Sequence, residues 1–142
     1  MVYRTMIKDG QDGGPVIGAK RDHLGVYPGE ITKNVDGTVD TSNGGMSVNS
    51  VVKRLPLSKL PARLQDFAGV NEKYTGAFNP KTELYALEGV EYASVPISAE
   101  LNLVPQKRSH GVIEPSRRML LTDYEDALAA TRERWVASDP TE

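Results

Sequence analysis

The chain has 142 residues, 39% hydrophobic and 25% charged, enough for one core at the usual ~100–200 residues per domain. Seventeen Lys and Arg against 19 Asp and Glu leave a net charge of −2 and a pI near 5.7, which argues against duplex DNA as the main ligand. Cysteine is absent, which excludes disulfides, Cys-ligated zinc, iron–sulfur clusters and thiol nucleophiles. The only histidines are His23 and His110, so no metal site is expected.

No apolar run reaches the ~18 residues of a membrane span, and MVYRTMIKDG has neither the basic start nor the apolar stretch of a secretory signal. A cytoplasmic protein is expected, or one delivered to a target cell's cytoplasm without a signal peptide. In chain order, Val2–Lys8 has the β-branched and aromatic content of a strand. Alternation puts Val2, Arg4 and Met6 on one face and Tyr3, Thr5 and Ile7 on the other. A charge at Arg4 therefore needs a partner, because an unpaired buried charge is very costly. A protein carboxylate or a ligand phosphate would both suit the planar guanidinium, and an exposed edge strand would remove the need for either.

Gly10–Gly14 reads as a turn. From Arg21 to Ser47 runs a long turn-rich stretch, with a hairpin signal at Asp36-Gly37 and a turn at Ser42–Gly45. Loops of this length in a compact domain are often functional. Leu55–Phe67 suggests a proline-framed connection and one or two helical turns, with Pro61 suited to the first helical position. The basic pair Lys53-Arg54 is too short to signify, and Tyr74, Phe78 and Tyr85 read as packing aromatics. Strands are expected over Thr82–Glu88, Glu91–Ile97 and Arg108–Ile113, with Glu88-Gly89 turning between the first two.

Near the end, Thr122-Asp123-Tyr124-Glu125 has the pattern of a capping box. Leu121, Tyr124, Leu128 and Trp135 fall close to helical spacing, and Arg132 and Arg134 suit a helix C-terminus. Residues 1–136 thus read as one strand-rich α+β domain with a C-terminal helix, and 137–142 as a flexible tail.

Three groups could carry chemistry. Gly44-Gly45 lets a backbone approach a ligand closely, and Ser47 just beyond could offer a hydroxyl to ribose or phosphate; the same pattern is also a plain turn feeding a strand. His110 could serve as a general base or as a donor to a ligand, or be a half-buried structural histidine. On a strand it shares a face with Val112 and Glu114, whose carboxylate lies roughly 13 Å away at ~3.3 Å per residue. Arg4 is the third.

Leu24-Gly25-Val26-Tyr27 followed by Gly44-Gly45-Met46-Ser47-Val48 resembles the loop region of type VI secretion effector toxins with an ADP-ribosyltransferase-like fold. His110-Gly111-Val112-Ile113-Glu114-Pro115, then Met119 and a helix carrying Tyr124, Leu128 and Trp135, is similar to a second block of that family. Arg4 matches its N-terminal strand arginine. Uncharacterised fungal and bacterial sequences resemble the same blocks, which together span about a third of this chain.

The resemblance implies a strand-rich core with an NAD-sized cleft, NAD as substrate and ADP-ribose transfer to an acceptor. It implies Arg4, Ser47 and His110 at that cleft, NAD contacts from Tyr27, Gly44, Gly45 and Met46, and a neutralising immunity protein as partner. The Glu/Gln-x-Glu pair of arginine-modifying members is missing, and Glu114 is its nearest substitute. The alternative is a non-catalytic protein-interaction domain on the same scaffold. A phosphate-handling ribonuclease using His110 and Arg4 is disfavoured by the lack of a basic surface.

Overall fold

A computed structural model describes residues 1–52, 55, 59–64 and 81–139. Lys53-Arg54, Tyr74, Phe78 and the end of the expected 55–67 helical segment lie outside them. The described elements are β1 (Tyr3–Ile7), β2 (Thr38–Val39), β3 (Met46–Asn49), β4 (Thr82–Leu87), β5 (Val95–Pro96), β6 (Leu101–Pro105), β7 (His110–Pro115), β8 (Met119–Leu120), α1 (Leu121–Ala129) and β9 (Trp135–Ala137). Short 3-10 turns occupy Pro28–Glu30, Ala62–Leu64 and Arg132–Arg134. The expected α+β composition holds at that level. No helix among the described residues is long and apolar enough to cross a membrane.

Seven strands form one antiparallel sheet in the order β5-β6-β7-β3-β1-β4-β9, and β2 pairs β8 separately. The period-2 alternation of a strand sorts the side chains. Val2 and Met6, Met46 and Val48, and Tyr85 and Leu87 face a main core that also takes Tyr124 and Leu128 of α1. Tyr3, Leu84 and Ala86 face the other way, against Val52, Leu55, Leu60 and Leu64. β4 is thus buried on both faces, which explains its mixed apolar run. Among the described residues the second face is covered at its β1–β4 end, and the strip carrying Thr5, Ser47, Asn49 and His110 borders a cleft.

Several expectations need correction. Glu88-Gly89 does turn, with Gly89 at φ +78°, but it joins no hairpin, since β4 pairs β1 and β9. Only Val95–Pro96 of the expected 91–97 strand pairs, and β6 is an addition. Helix α1 starts at Leu121 without a side-chain cap. Leu120 pairs Thr38 and the Leu121 amide donates to the Gly37 carbonyl, so the strand feeds the helix directly and Thr122 falls inside it. The helix also ends before Trp135, which pairs Leu87 in β9. Sheet pairing captures Ala137, opposite Tyr85, and the Ser138 amide donates to the Leu84 carbonyl. Those residues are therefore not the start of a tail.

The 21–47 stretch is built rather than loose. It buries Leu24, Val26, Ile31 and Val39 and is tied by bridges Ile17↔Leu24 and Ile31↔Gly44. The Asp36-Gly37 signal forms its turn, with Gly37 at φ +85° and its amide donating to the Asn34 carbonyl.

Candidate functional site

A cleft of about 470 Å³ lies over the sheet, within the range of small-ligand sites. Its floor is the exposed strip of the sheet. Asn49 stands opposite His110 where β3 pairs β7, two residues along the strand from Ser47. One wall is the loop carrying Arg21, Asp22, Tyr27 and Glu30; Lys59 and the β6–β7 turn, with Lys107, complete it.

Arg4 sits where the sheet opens. β1 pairs β3 only at Tyr3↔Asn49, and beyond that point the 21–24 loop comes alongside β1, with the Ile7 amide donating to the Asp22 carbonyl. The guanidinium fills this opening. It donates from Nη1 to the Ser47 carbonyl (2.7 Å), from Nη2 to the carbonyls of Arg21 (2.7 Å) and His23 (2.9 Å), and from Nε to His23 (3.3 Å). Glu30 Oε2 lies 3.9 Å from Nη1, and both side chains are 7% exposed. Burial pushes the guanidinium pKa down, and Glu30 and Asp22 oppose that shift. Of the partners foreseen for Arg4, the protein carboxylate is present as Glu30, while backbone carbonyls take most of its donors.

Ser47 is gripped through its main chain. Its amide donates to Glu30 Oε2 (3.0 Å) and its carbonyl accepts from Arg4, while its hydroxyl makes no hydrogen bond to a described residue. The Tyr27 ring lies 4.8 Å beneath the Arg21 guanidinium, and a Cβ at Gly29 would overlap that ring. Glycine there makes room for it.

The other predicted residues lie elsewhere. Met46 is fully buried in the core. Gly44 takes φ +100°, and a Cβ on it would overlap the Glu30 carbonyl; one on Gly45 would overlap the Ile113 carbonyl. The glycine pair serves close backbone packing behind the cleft. Glu114 accepts the Ser42 amide at 3.1 Å and does not line the cleft. Its separation along β7 carries it past the cleft's end.

Among the described residues four cations line the cleft, Arg4, Arg21, Lys59 and Lys107, against two carboxylates, Asp22 and Glu30. Lys59 pairs Asp22 at 2.8 Å and Arg4 faces Glu30. Arg21 and Lys107 have no carboxylate partner among the described residues, so the described lining of the cleft is net positive on a chain of net charge −2. Sequence reading passed over Glu30, Arg21 and Lys107. Only the β3–β7 register, which brings the 107–110 turn beside Asn49, could have signalled the last.

Comparison with family models, curated proteins and solved structures finds no match for this chain.

Proposed function

We propose that the cleft binds an anionic dinucleotide and that the chain is an NAD-dependent ADP-ribosyltransferase-like toxin domain. The observation that carries this reading is the meeting of Tyr27, Ser47 and His110 in one cleft with Arg21 and Lys107, two cations that have no carboxylate partner among the described residues. A pyrophosphate diester carries two negative charges, which Arg21 and Lys107 match. Tyr27 holds the Arg21 guanidinium over its ring at the cleft wall, and the Ser47 hydroxyl and His110 imidazole, which hydrogen-bond no described residue, could meet ribose hydroxyls. Arg4 shapes the site rather than gripping phosphate, since its donors are largely used within the protein.

In the reaction, the bond between ribose C1′ and the nicotinamide nitrogen breaks and its electron pair leaves with nicotinamide. An acceptor nucleophile bonds to C1′ and gives up its proton, for which His110 is the available base. Titration calorimetry with NAD and an assay of nicotinamide release test this on the wild type, Ser47→Ala and His110→Ala. Binding with release that both variants lose supports the reading; full activity in both overturns the site.

One observation favours a non-catalytic interaction domain, recognised by a partner such as an immunity protein. Both cleft carboxylates are committed to cations, and Glu114 is turned to Ser42. No binding at millimolar NAD would move the assignment to that reading.

A further inference from the structure

Glu30 is the residue that sequence reading passed over and the cleft's geometry depends on. It closes the 3-10 turn Pro28–Glu30 and lines the cleft with a side chain only 7% exposed. Its two carboxylate oxygens serve different elements. Oε1 accepts the Tyr27 amide at 3.2 Å, on the loop wall. Oε2 accepts the Ser47 amide at 3.0 Å, on the sheet floor, and faces Arg4. The main chain repeats the connection, because the Glu30 amide donates to the Tyr27 carbonyl (2.9 Å) and its carbonyl accepts the Gly45 amide (3.0 Å). A carboxylate accepts at both oxygens, whereas a neutral amide of the same shape offers one acceptor and one donor group.

We propose that Glu30 is a positioning residue that fixes Tyr27 on the wall and Ser47 on the floor at the separation an anionic ligand needs. The inference rests on reading the cleft as an anion site. Charge and geometry act in opposite directions here, which makes the idea decidable. As a negative charge alone, Glu30 repels an anion and its removal tightens binding. As a positioning group, its loss loosens Tyr27 and Ser47 and weakens binding.

Glu30→Asp keeps the charge and withdraws the carboxylate by one methylene; Glu30→Gln keeps the shape and removes the charge. Calorimetric titration with inorganic pyrophosphate is expected to show affinity falling about tenfold in both, comparable to losing one hydrogen bond to a charged group. Unchanged affinity in Glu30→Asp, or tighter binding in Glu30→Gln, overturns the proposal. Hydrogen exchange separates this outcome from failure of the anion-site reading. If the wild type binds no pyrophosphate, the reading of the cleft falls, while faster exchange at the Tyr27 and Ser47 amides in Glu30→Asp still supports the positioning role. Exchange at wild-type rates overturns it. Should Glu30→Gln fail to fold, Glu30→Asp decides alone.

Discussion

The Arg4 guanidinium donates to the Ser47 carbonyl at 2.7 Å across the opening between β1 and β3. A side chain therefore does at this point what the strand ladder does elsewhere. The same group also holds the carbonyls of Arg21 and His23, so one residue joins the first strand, the third strand and the loop wall.

Replacing Arg4 by methionine would leave three carbonyls short of a donor and Glu30 buried without its cation. Breaking a buried charge pair from one side costs about 3–5 kcal/mol. We expect Arg4→Met to lose stability on that scale in urea unfolding. An unchanged midpoint would contradict the role given to the guanidinium.

Gly45→Ala is expected to destabilise by about 1–3 kcal/mol, the usual cost of overpacking, because the new methyl meets the Ile113 carbonyl and the Tyr124 hydroxyl. Gly10→Ala is the control, since nothing lies near its added carbon. Thermal melts of the two variants should differ clearly. Equal melts would show that the strands can part to admit a methyl.

The Tyr124 hydroxyl accepts the Met46 amide at 3.0 Å and donates to the Ile113 carbonyl at 2.5 Å. It thereby ties α1 to β3 and β7, and burial pushes its pKa up. Tyr124→Phe keeps the ring and leaves the buried Met46 amide unsatisfied, which costs about 1–3 kcal/mol. Denaturant unfolding measures the loss, and a neutral effect would mean that water or the ladder replaces the hydroxyl.

His23 supplies a pH dependence. Its Nδ1 is buried without a hydrogen-bond partner among the described residues. Burial, with help from Lys20 and Arg4 and against Asp22, holds its pKa below the ordinary 6.5. The unfolded chain thus binds a proton more readily than the folded one, so stability is full above about pH 6.5 and declines as pH falls through the folded pKa. Urea midpoints between pH 8 and 5 should fall in the wild type and flatten in His23→Gln. Asp12 and Asp36, held near 2 chiefly by hydrogen bonds from Arg132 and Thr38 respectively, act in the same direction but in a more acidic window. A flat wild-type profile would refute the role of His23.

Strands with a dense β-branched or aromatic pattern were legible from sequence: β1, β4 and β7 emerge close to their expected bounds. β6 was not, because Leu101-Asn102-Leu103 has little intrinsic strand preference and its pairing with β7 supplies what propensity lacks. Trp135 continues a helical spacing, yet long-range pairing with Leu87 draws it into the sheet. Local pattern cannot register a partner so far away in the chain. Ser47, His110 and Tyr27 were found as cleft residues, while Glu114 and the Gly44–Met46 run lie off it. Alternation along β7 gives the direction of Glu114 but not where the cleft stops. Glu30 carries no sequence signal at all, since its importance comes from two backbone amides that the fold brings to it.

The sheet order has a consequence for how the protein is made. β1 lies in the interior of the sheet and its longest pairing is with β4, where Tyr3 stands opposite Ala86. Contacts of such sequence separation pay for loop closure before they are rewarded and slow the folding of a domain. On a ribosome the first strand must wait until Thr82–Leu87 has emerged, with the Arg4 charge still in water. Any chain interrupted before that point lacks the scaffold on which the cleft is assembled, so early termination products should not form it.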